Sequence, residues 1–326
     1  MLANQWRRLR SRILTPKKSE THLDVRGFHV KNPDARGLLE TIGGTFVDGY
    51  EAAMLAPAPE AAAARLDRVP TRFRGFAYEG ATMALAVLDG LPGGGGGRTA
   101  RFLAGPAAPH VYMAYVGIGW AMARLPRFRW GTLHAPDPLL RWLVLDGYGF
   151  HQAYFHTERY VRQRFRDDGF TWPGGGPHGY PARVVDQGVG RALWFVCGTD
   201  AELVADTVED FPEHRRADLY SGVGLAATYA GGAEEKELAG LLARAGEHRP
   251  MLAQGSAFGA EARLRADLMV PHVAMATEVF CGTTPERAAL VCAERLPDDP
   301  GRAVQGPDGP VPAYETWRQR IAAEFA

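Results

Sequence analysis

The sequence has 326 residues, of which 46% are hydrophobic, and its 37 basic residues are balanced by 37 acidic ones. A chain of this length and composition can bury the core of one large domain or two smaller ones. The neutral balance excludes a global field that would draw the chain to nucleic acid or to an acidic membrane surface. Cys197, Cys281 and Cys292 form no CxxC pair. Their spacing argues against a disulfide framework or a zinc site and favours a reduced, cytoplasmic setting.

Residues 1–31 form a basic N-terminal arm that begins MLANQWRRLRSRIL. Leu2, Trp6, Leu9 and Ile13 recur at helical spacing, which predicts an amphipathic helix. The arm lacks the continuous apolar stretch and the cleavage site of a signal peptide. Packing of this helix on the body of the protein or on a partner is favoured over contact with a membrane surface.

One short phrase, a glycine followed four positions later by a small residue, recurs along the chain at intervals of 30 to 41 residues. The glycines of the phrase are Gly49, Gly80, Gly117, Gly147, Gly188, Gly222 and Gly255. The small residues are Ala53, Ala84, Ala121, Ala192, Ala226 and Gly259. This interval is typical of helix-pair repeats, and two small residues one turn apart form a notch that lets a neighbouring helix approach closely.

The segments between these phrases read as second helices, for example DAELVADTVEDFP and EEKELAGLLARAGEHRP, and several end in proline. Strand patterns are scarce. The sequence therefore predicts an all-α fold, a helix-pair repeat array of about seven units, either a tetratricopeptide-like superhelix or a closed α/α array. We expect the array to be one domain over residues 32–297, with a loop at 170–181 between its halves, followed by a tail with a short helix over 298–326.

The fourth phrase departs from the pattern, because His151 replaces the small residue. Acids and one arginine also lie next to the glycines, where apolar packing alone does not explain them. The candidate catalytic residues are Asp146, His151, Glu79, Asp186 and Arg191. The candidate ligand-binding residues are the aromatic side chains Tyr78, Tyr115, Trp120, Tyr148, Phe150, Trp194 and Tyr220. Stacking of equivalent positions would bring both sets to one concave, aromatic-lined pocket.

Each of these residues has a structural alternative. Asp186 and Arg191 can form a buried ion pair that joins two repeats, His151 can be a core histidine, and the aromatic residues can belong to the core. His151 and His156 are five residues apart, not the four expected of helical metal ligands. The glycine-rich segment at 89–98 lacks the strand-to-helix context of a phosphate-binding loop. We expect no metal and no cofactor.

Four phrases, RGFAYEGATMALAVLD, YVGIGWAMARLP, LDGYGFHQAYF and DQGVGRALWF, occur here in that order. Together they resemble the UnbL-like family of unknown function from enediyne polyketide biosynthetic clusters. The resemblance extends from about Arg26 to about Cys292. It implies a bacterial natural-product pathway with a long polyene or a derived intermediate as ligand, and it transfers no catalytic residues.

The residues and the resemblance together favour a cofactor-independent enzyme that isomerises or cyclises a polyene or polyketide intermediate by acid/base chemistry. In this hypothesis Asp146 or Glu79 is the acid/base, His151 is its partner, and Arg191 with Asp186 is an orienting pair. The alternatives are a carrier or scaffold that binds the polyene or a pathway enzyme without chemistry, and an accessory subunit whose site a pathway partner completes.

Overall fold

The computed structural model describes residues 2–95, 97–306 and 309–326. Its α-helices are α1 Leu2–Leu14, α2 Leu23–Arg26, α3 Pro33–Leu55, α4 Pro59–Leu66, α5 Thr71–Gly90, α6 Arg98–Ala104, α7 Val111–Arg124, α8 Leu143–Phe155, α9 Tyr180–Val196, α10 Ala201–Glu209, α11 Glu213–Ala230, α12 Glu235–Ala245, α13 Arg249–Arg265, α14 Pro271–Cys281, α15 Pro285–Glu294 and α16 Ala313–Ala323. Strands β1 Val304–Gly306 and β2 Gly309–Val311 pair as one antiparallel ribbon. Nearly all of the described chain is thus helix and connecting loop, which confirms the all-α prediction.

A row of seven helices forms the centre of the molecule. In chain order these are α3, α5, α7, α8, α9, α11 and α13, and each packs along the next. They carry the seven glycine phrases in the same order. The row curves, so that α13 also contacts α7. The predicted helical array is therefore present, with one central helix for each phrase.

The second helices of the repeat occur in only part of the array. Helices α4, α6, α10 and α12 lie between successive central helices, as expected. The connection from α7 to α8 instead contains the 3₁₀ turns Arg127–Thr132 and Leu140–Trp142, and the connection from α8 to α9 is mostly irregular. The strict helix-pair pattern was wrong for these two connections, because they lack the continuous apolar periodicity that a packed helix needs.

The phrase glycines bring neighbouring backbones into direct contact. A Cβ added to Gly117 would collide with the carbonyl oxygen of Glu79 on the preceding helix, and one added to Gly188 would collide with that of Asp146. A Cβ would likewise collide with a carbonyl oxygen of the preceding helix at Gly80, Gly147, Gly222 and Gly255. Backbones at this separation make Cα–H···O contacts, and this close packing offsets the helix-propensity cost of glycine.

A second glycine two positions later makes the matching contact with the following helix. Gly119, Gly149, Gly190 and Gly224 each face a carbonyl oxygen of the next helix in the row. The sequence analysis did not assign a packing role to the second glycine of GIGWAM and GVGRAL. Two residues correspond to about 200° around a helix, so the paired glycines serve opposite neighbours.

Helix starts follow local rules. The side chain of Asp200 accepts hydrogen bonds from the backbone N–H groups of Glu202 and Leu203, and Thr284 accepts one from Arg287, as an N-cap does. Helices α4 and α10 end before Pro70 and Pro212, and these two prolines directly precede α5 and α11. Their fixed φ and extended ψ suit the residue before a helix.

The C-terminal helix α16 is built into the core through a buried ionic network. Arg318 contacts Asp218 at 2.9 Å and Glu315 at 2.6 Å, and Arg183 contacts the same two carboxylates at 2.8 Å each. Burial alone would raise the pKa of Glu315, but Arg318 and Arg183 with nearby hydrogen-bond donors lower it to about 2. The domain boundaries drawn from sequence stay a prediction, and α16 lies inside the body of the protein.

Helix α1 packs on α3, and its Leu14 packs against the core. Ser11 is buried, and the guanidinium of Arg10 donates to the carbonyl oxygen of Met54. Trp6, Leu9 and Ile13 are exposed. The side chain of Leu2 lies outside the described part of the chain. Among the described residues, no helix has the length and apolar character needed to cross a membrane.

The glycine contacts predict a contrast between two glycine-to-alanine variants. Gly149→Ala places a methyl group against the carbonyl of Val185, and we expect a destabilisation of about 1–3 kcal/mol. Gly44→Ala in α3 meets no atom within 4 Å and removes a poor helix former, so a gain of up to about 1 kcal/mol is expected. Urea denaturation measures both, and equal effects of the two variants would contradict the close-packing account.

Candidate functional site

The concave side of the helical row encloses a cavity of about 540 Å³, a size typical of small-molecule sites. Helices α3, α5, α7, α8, α9 and α11 supply its walls, and residues 16–21 border it from the N-terminal arm. The aromatic lining consists of Phe46, Phe76, Trp120, Phe150, Tyr154, Phe155, Phe195 and Tyr229. The ionisable lining consists of Lys17, Glu20, Glu79, Arg124, His151 and Arg191, together with Tyr154 and Tyr229 of the aromatic set.

The lining follows a simple register relative to the phrase glycines. The residue three positions after the glycine lines the cavity in five successive central helices: Met83, Trp120, Phe150, Arg191 and Leu225. The residue seven positions after it does so in four: Arg124, Tyr154, Phe195 and Tyr229. Positions four apart lie on one helix face. The glycine contacts that align the helices therefore also fix which side chains face the cavity.

Three buried ionisable residues lie close together at one side of the cavity. Asp146 lies behind the cavity wall and forms an ion pair with Arg191, which lines the cavity and lies over the ring of Phe150 at 5.2 Å. Burial lowers the pKa of Arg191, but Asp146 and Glu79 more than reverse this and raise it. Burial raises the pKa of Asp146, and Arg191 opposes that rise. The direct contact of the two side chains makes them an ion pair, which adds no net charge to the protein interior.

Glu79 is 3% exposed and lines the same part of the cavity. Burial raises its pKa to about 8. The charge of Asp146 adds to this rise, and Arg191 and Trp120 act in the opposite direction. Because Asp146 already balances Arg191, Glu79 keeps its proton near neutral pH. The cavity thus contains a neutral carboxylic acid that can donate a proton and take it back.

His151 lines the cavity in contact with aromatic rings. It lies edge-on to Trp120 at 5.5 Å and against Phe155 at 4.7 Å. Burial, with the positive charge of Arg124 and with His156, lowers the pKa of His151 to about 3. His151 is therefore a neutral imidazole at physiological pH. Its Nδ1 has no hydrogen-bond partner within the described residues.

The mouth of the cavity carries positive charge. Lys17 and Arg124 are exposed at its edge, and neither forms an ion pair with any described residue. Glu20 borders the same opening and pairs with Arg26 at 2.9 Å, and Arg26 lies over the ring of Phe155 at 5.1 Å. The opening therefore favours the polar or anionic end of a ligand whose apolar part lies deeper inside.

Asp186 does not belong to this site, and the predicted orienting pair of Asp186 with Arg191 was wrong. Asp186 binds Arg215 at 2.7 and 3.0 Å and borders a separate small cavity of about 20 Å³. It lies two positions before its phrase glycine, whereas Glu79 and Asp146 lie one position before theirs. One residue is about 100° around a helix, which turns Asp186 to another face.

Trp120 and Phe150 line the cavity as predicted, but the other candidate aromatic residues do not. Three of them form hydrogen bonds elsewhere: Tyr78 donates to Asp67 at 2.7 Å, the hydroxyl of Tyr115 accepts from the N–H of Asp137, and the indole of Trp194 donates to the carbonyl of Gly231. The other two pack on aromatic rings, Tyr148 on Phe170 and Tyr220 on His248. Tyr78, Tyr115 and Tyr220 each precede their glycine by two positions and share the orientation of Asp186. These side chains hold the outer parts of the array together.

Sequence reasoning missed several cavity residues, among them Phe76, Tyr154, Phe195, Tyr229 and Arg124. Three of the aromatic residues and Arg124 are seven positions after a phrase glycine. One further turn from Trp120, Phe150 and Arg191 reaches Arg124, Tyr154 and Phe195, and the same step from Leu225 reaches Tyr229. Phe76 is one turn before Glu79 and follows from the same rule applied in the other direction.

No group of three or more histidine, cysteine, aspartate or glutamate side chains is placed to hold a metal ion in residues 2–95, 97–306 and 309–326. The chemistry available to the cavity's own side chains is proton transfer by Glu79, hydrogen bonding by His151 and Arg191, and the electrostatic influence of aromatic faces.

The fold and the cavity define a class: an all-α array of glycine-packed helices around one aromatic-lined, acid-bearing cavity. The chain belongs to the family described as "Protein of unknown function (DUF1702)", whose model matches residues 5–325. No curated protein and no solved structure matches the chain. The family description assigns no activity, and the resemblance to UnbL-like proteins stays a prediction.

The buried ion pair predicts a non-additive mutational effect. Asp146→Asn leaves Arg191 without its main counter-charge, and we expect a loss of about 3 kcal/mol in the free energy of unfolding. The double variant Asp146→Asn/Arg191→Met removes both charges and should lose much less. A double-variant cycle by urea denaturation measures the coupling. Additive losses would show that the two side chains act independently.

The raised pKa of Glu79 predicts a pH-dependent gain from Glu79→Gln. Stability supplied by protonated Glu79 is complete below its unfolded pKa of 4.5 and is lost as pH rises through about 8. The variant does not titrate, so its advantage over wild type should grow from pH 5 to pH 8 by an amount on the order of 4 kcal/mol. Chemical denaturation at both pH values, with the exposed Glu247→Gln as control, measures this. A constant difference would mean that Glu79 titrates normally.

Proposed function

We propose that this protein isomerises or cyclises a long conjugated polyene or polyketide intermediate, with Glu79 as the group that moves the proton, in a natural-product pathway of the enediyne type. The observation that carries the proposal is a buried carboxylic acid facing a cavity that is lined mainly by aromatic and aliphatic side chains. The pathway rests on the sequence resemblance alone.

The cavity walls suit an extended unsaturated chain. Phe46, Trp120, Phe150 and Phe195 form a continuous aromatic wall, with successive ring centres 4.6, 5.2 and 5.2 Å apart. Aromatic faces carry negative electrostatic potential and stabilise positive charge that develops beside them. A chain that becomes transiently cationic would be better stabilised here than in an aliphatic pocket.

The proposed step uses one proton and no other reactant. Glu79 protonates a carbon of the conjugated chain, so that a C–H bond forms, the adjacent π bond breaks, and a delocalised cation is left opposite the Glu79 carboxylate. In isomerisation, the carboxylate removes a proton from a different carbon and a shifted double bond forms. In cyclisation, a second double bond first attacks the cation to form a C–C bond, and proton loss follows. Both routes return Glu79 to its acid form.

The neighbouring residues position this chemistry. Arg191 is paired with Asp146 and stabilises the Glu79 carboxylate when it forms, while Asp146 prevents Arg191 from ionising Glu79 permanently. Neutral His151 can accept or donate one hydrogen bond to a polar group of the ligand. Lys17 and Arg124 at the mouth would hold a carboxylate at the far end of the chain.

Deuterium uptake tests the proposed reaction. The protein is incubated in D₂O with a polyene extract from producer cells that lack its gene, and product mass and absorption spectrum are followed. Wild type should give a product with carbon-bound deuterium, and Glu79→Gln should reduce this rate about 10²-fold or more. His151→Phe, which keeps an aromatic ring, should retain measurable uptake.

Binding is measured separately with cis-parinaric acid, a conjugated fatty acid whose fluorescence rises in apolar surroundings. Wild type and Glu79→Gln should bind it alike. Binding by both proteins without deuterium uptake or product would contradict the catalytic proposal and favour a polyene carrier. Failure of both to bind would contradict the proposed ligand class as well.

A further inference from the structure

Helix α1 exposes an apolar strip to the solvent. The exposed fractions of Trp6, Leu9 and Ile13 are 63%, 47% and 69%, and their spacing places the three on one helix face. The packed side of α1 carries Ser11, which is buried, and Leu14, which packs against the core, and the guanidinium of Arg10 donates to the carbonyl oxygen of Met54. Three large apolar side chains of α1 therefore face the solvent, whereas an ordinary surface helix turns its apolar side to the core.

Positive charge is concentrated around this strip. Residues 1–19 contain six arginine and lysine residues and no acidic residue, which leaves 31 basic against 37 acidic residues in the rest of the chain. Arg8 and Arg12 are exposed beside the strip, and Lys17 is exposed just after α1. A neutral protein thus has one strongly basic segment.

The strip lies next to the entrance of the cavity. Helix α1 ends at Leu14, and Pro16 and Lys17, which follow within three residues, line the cavity. Any surface that α1 contacts is therefore brought close to the opening at which Arg124 also lies.

We propose that α1 binds the surface of an anionic membrane, with Trp6, Leu9 and Ile13 in the headgroup region, and that this contact brings the cavity mouth to the lipid. Interfacial helices combine an apolar strip containing tryptophan or leucine with flanking arginine and lysine, which attract anionic headgroups. Tryptophan favours the boundary between headgroups and acyl chains. All of these features occur together in α1.

Charge argues against a second copy of this chain as the occupant. Pairing two α1 helices through the same strip would bring two highly basic segments together without an acidic counterpart, and like charges at an interface are unfavourable. An anionic lipid surface supplies the opposite charge. Membrane binding does not depend on the proposed reaction. Only the delivery of an apolar substrate from the lipid to Glu79 rests on the proposed function.

Flotation of the full-length protein with vesicles tests this inference. Vesicles of phosphatidylglycerol and phosphatidylcholine in equal parts should carry the protein to the top of a density gradient, and vesicles of phosphatidylcholine alone should carry much less. Leu9→Gln/Ile13→Gln should reduce the bound fraction at least tenfold. Leu290→Gln/Leu296→Gln, which changes two exposed leucines far along the chain, is the matched control and should bind as wild type does.

Two further measurements sharpen the result. Arg8→Gln/Arg12→Gln should weaken binding, and rising salt should weaken wild type in the same way. Glu79→Gln should float like wild type, because membrane binding does not require the proposed reaction. The flotation result therefore stands even if that reaction is not observed. Absence of flotation, or equal loss in the Leu290/Leu296 control, would overturn the proposal. The proposal would also be overturned if wild type self-associates, does not bind vesicles, and loses its self-association in Leu9→Gln/Ile13→Gln. That result would favour a second copy of the chain as the partner of α1.

Discussion

The approach of glycine backbones to carbonyl oxygens of neighbouring helices is the contact on which the rest of this structure depends. It occurs at every junction of the central row, from α3 and α5 to α11 and α13. Contacts of this kind fix both the separation and the rotation of each helix. Because the rotation is fixed, the positions three and seven residues after the glycines face one common space. The cavity is thus a consequence of how the backbones pack, and its chemical character depends on which side chains occupy those positions.

The same contacts place the site's acids. The carbonyl oxygens touched by Gly117 and Gly188 belong to Glu79 and Asp146, so the backbones of both acidic residues are held at helix junctions. Their side chains then differ in surroundings. Asp146 is paired with Arg191, whereas Glu79 faces the cavity without an ion pair in the described part of the chain. One guanidinium cannot balance two buried carboxylates, so one of the two acids stays neutral. Asp146 therefore has a structural role, and Glu79 keeps a proton that it can transfer.

The spacing of the glycines was sufficient to predict the all-α array and the order of its central helices, because each glycine marks a contact between neighbouring helices. It also identified Glu79, His151, Arg191, Trp120 and Phe150 as cavity residues. Ion-pair partners could not be assigned in this way. Asp186 and Asp146 both precede a glycine, and only the helix rotation decides that one binds Arg215 and the other Arg191.

Residues at the ends of the chain were the least predictable. The burial of α16 depends on ion pairs of Arg318 and Glu315 with Asp218 and Arg183, which are about 100 or more positions away in sequence. No local sequence pattern indicates such long-range contacts. Helix α1 was predicted from its spacing, but the side that it turns to the body was not. Ser11, Leu14 and the Arg10 guanidinium make the contacts with the body, and Trp6, Leu9 and Ile13 face the solvent.

The most direct test of the account is the infrared spectrum of the Glu79 carboxyl group. If the cavity keeps this group neutral, the difference between wild type and Glu79→Gln at pH 7 contains the C=O stretching band of a protonated carboxylic acid, and the band disappears with a midpoint near pH 8. A carboxylate signal alone at pH 7 would contradict the account, because an ionised Glu79 could neither donate a proton nor leave the cavity neutral for an apolar ligand.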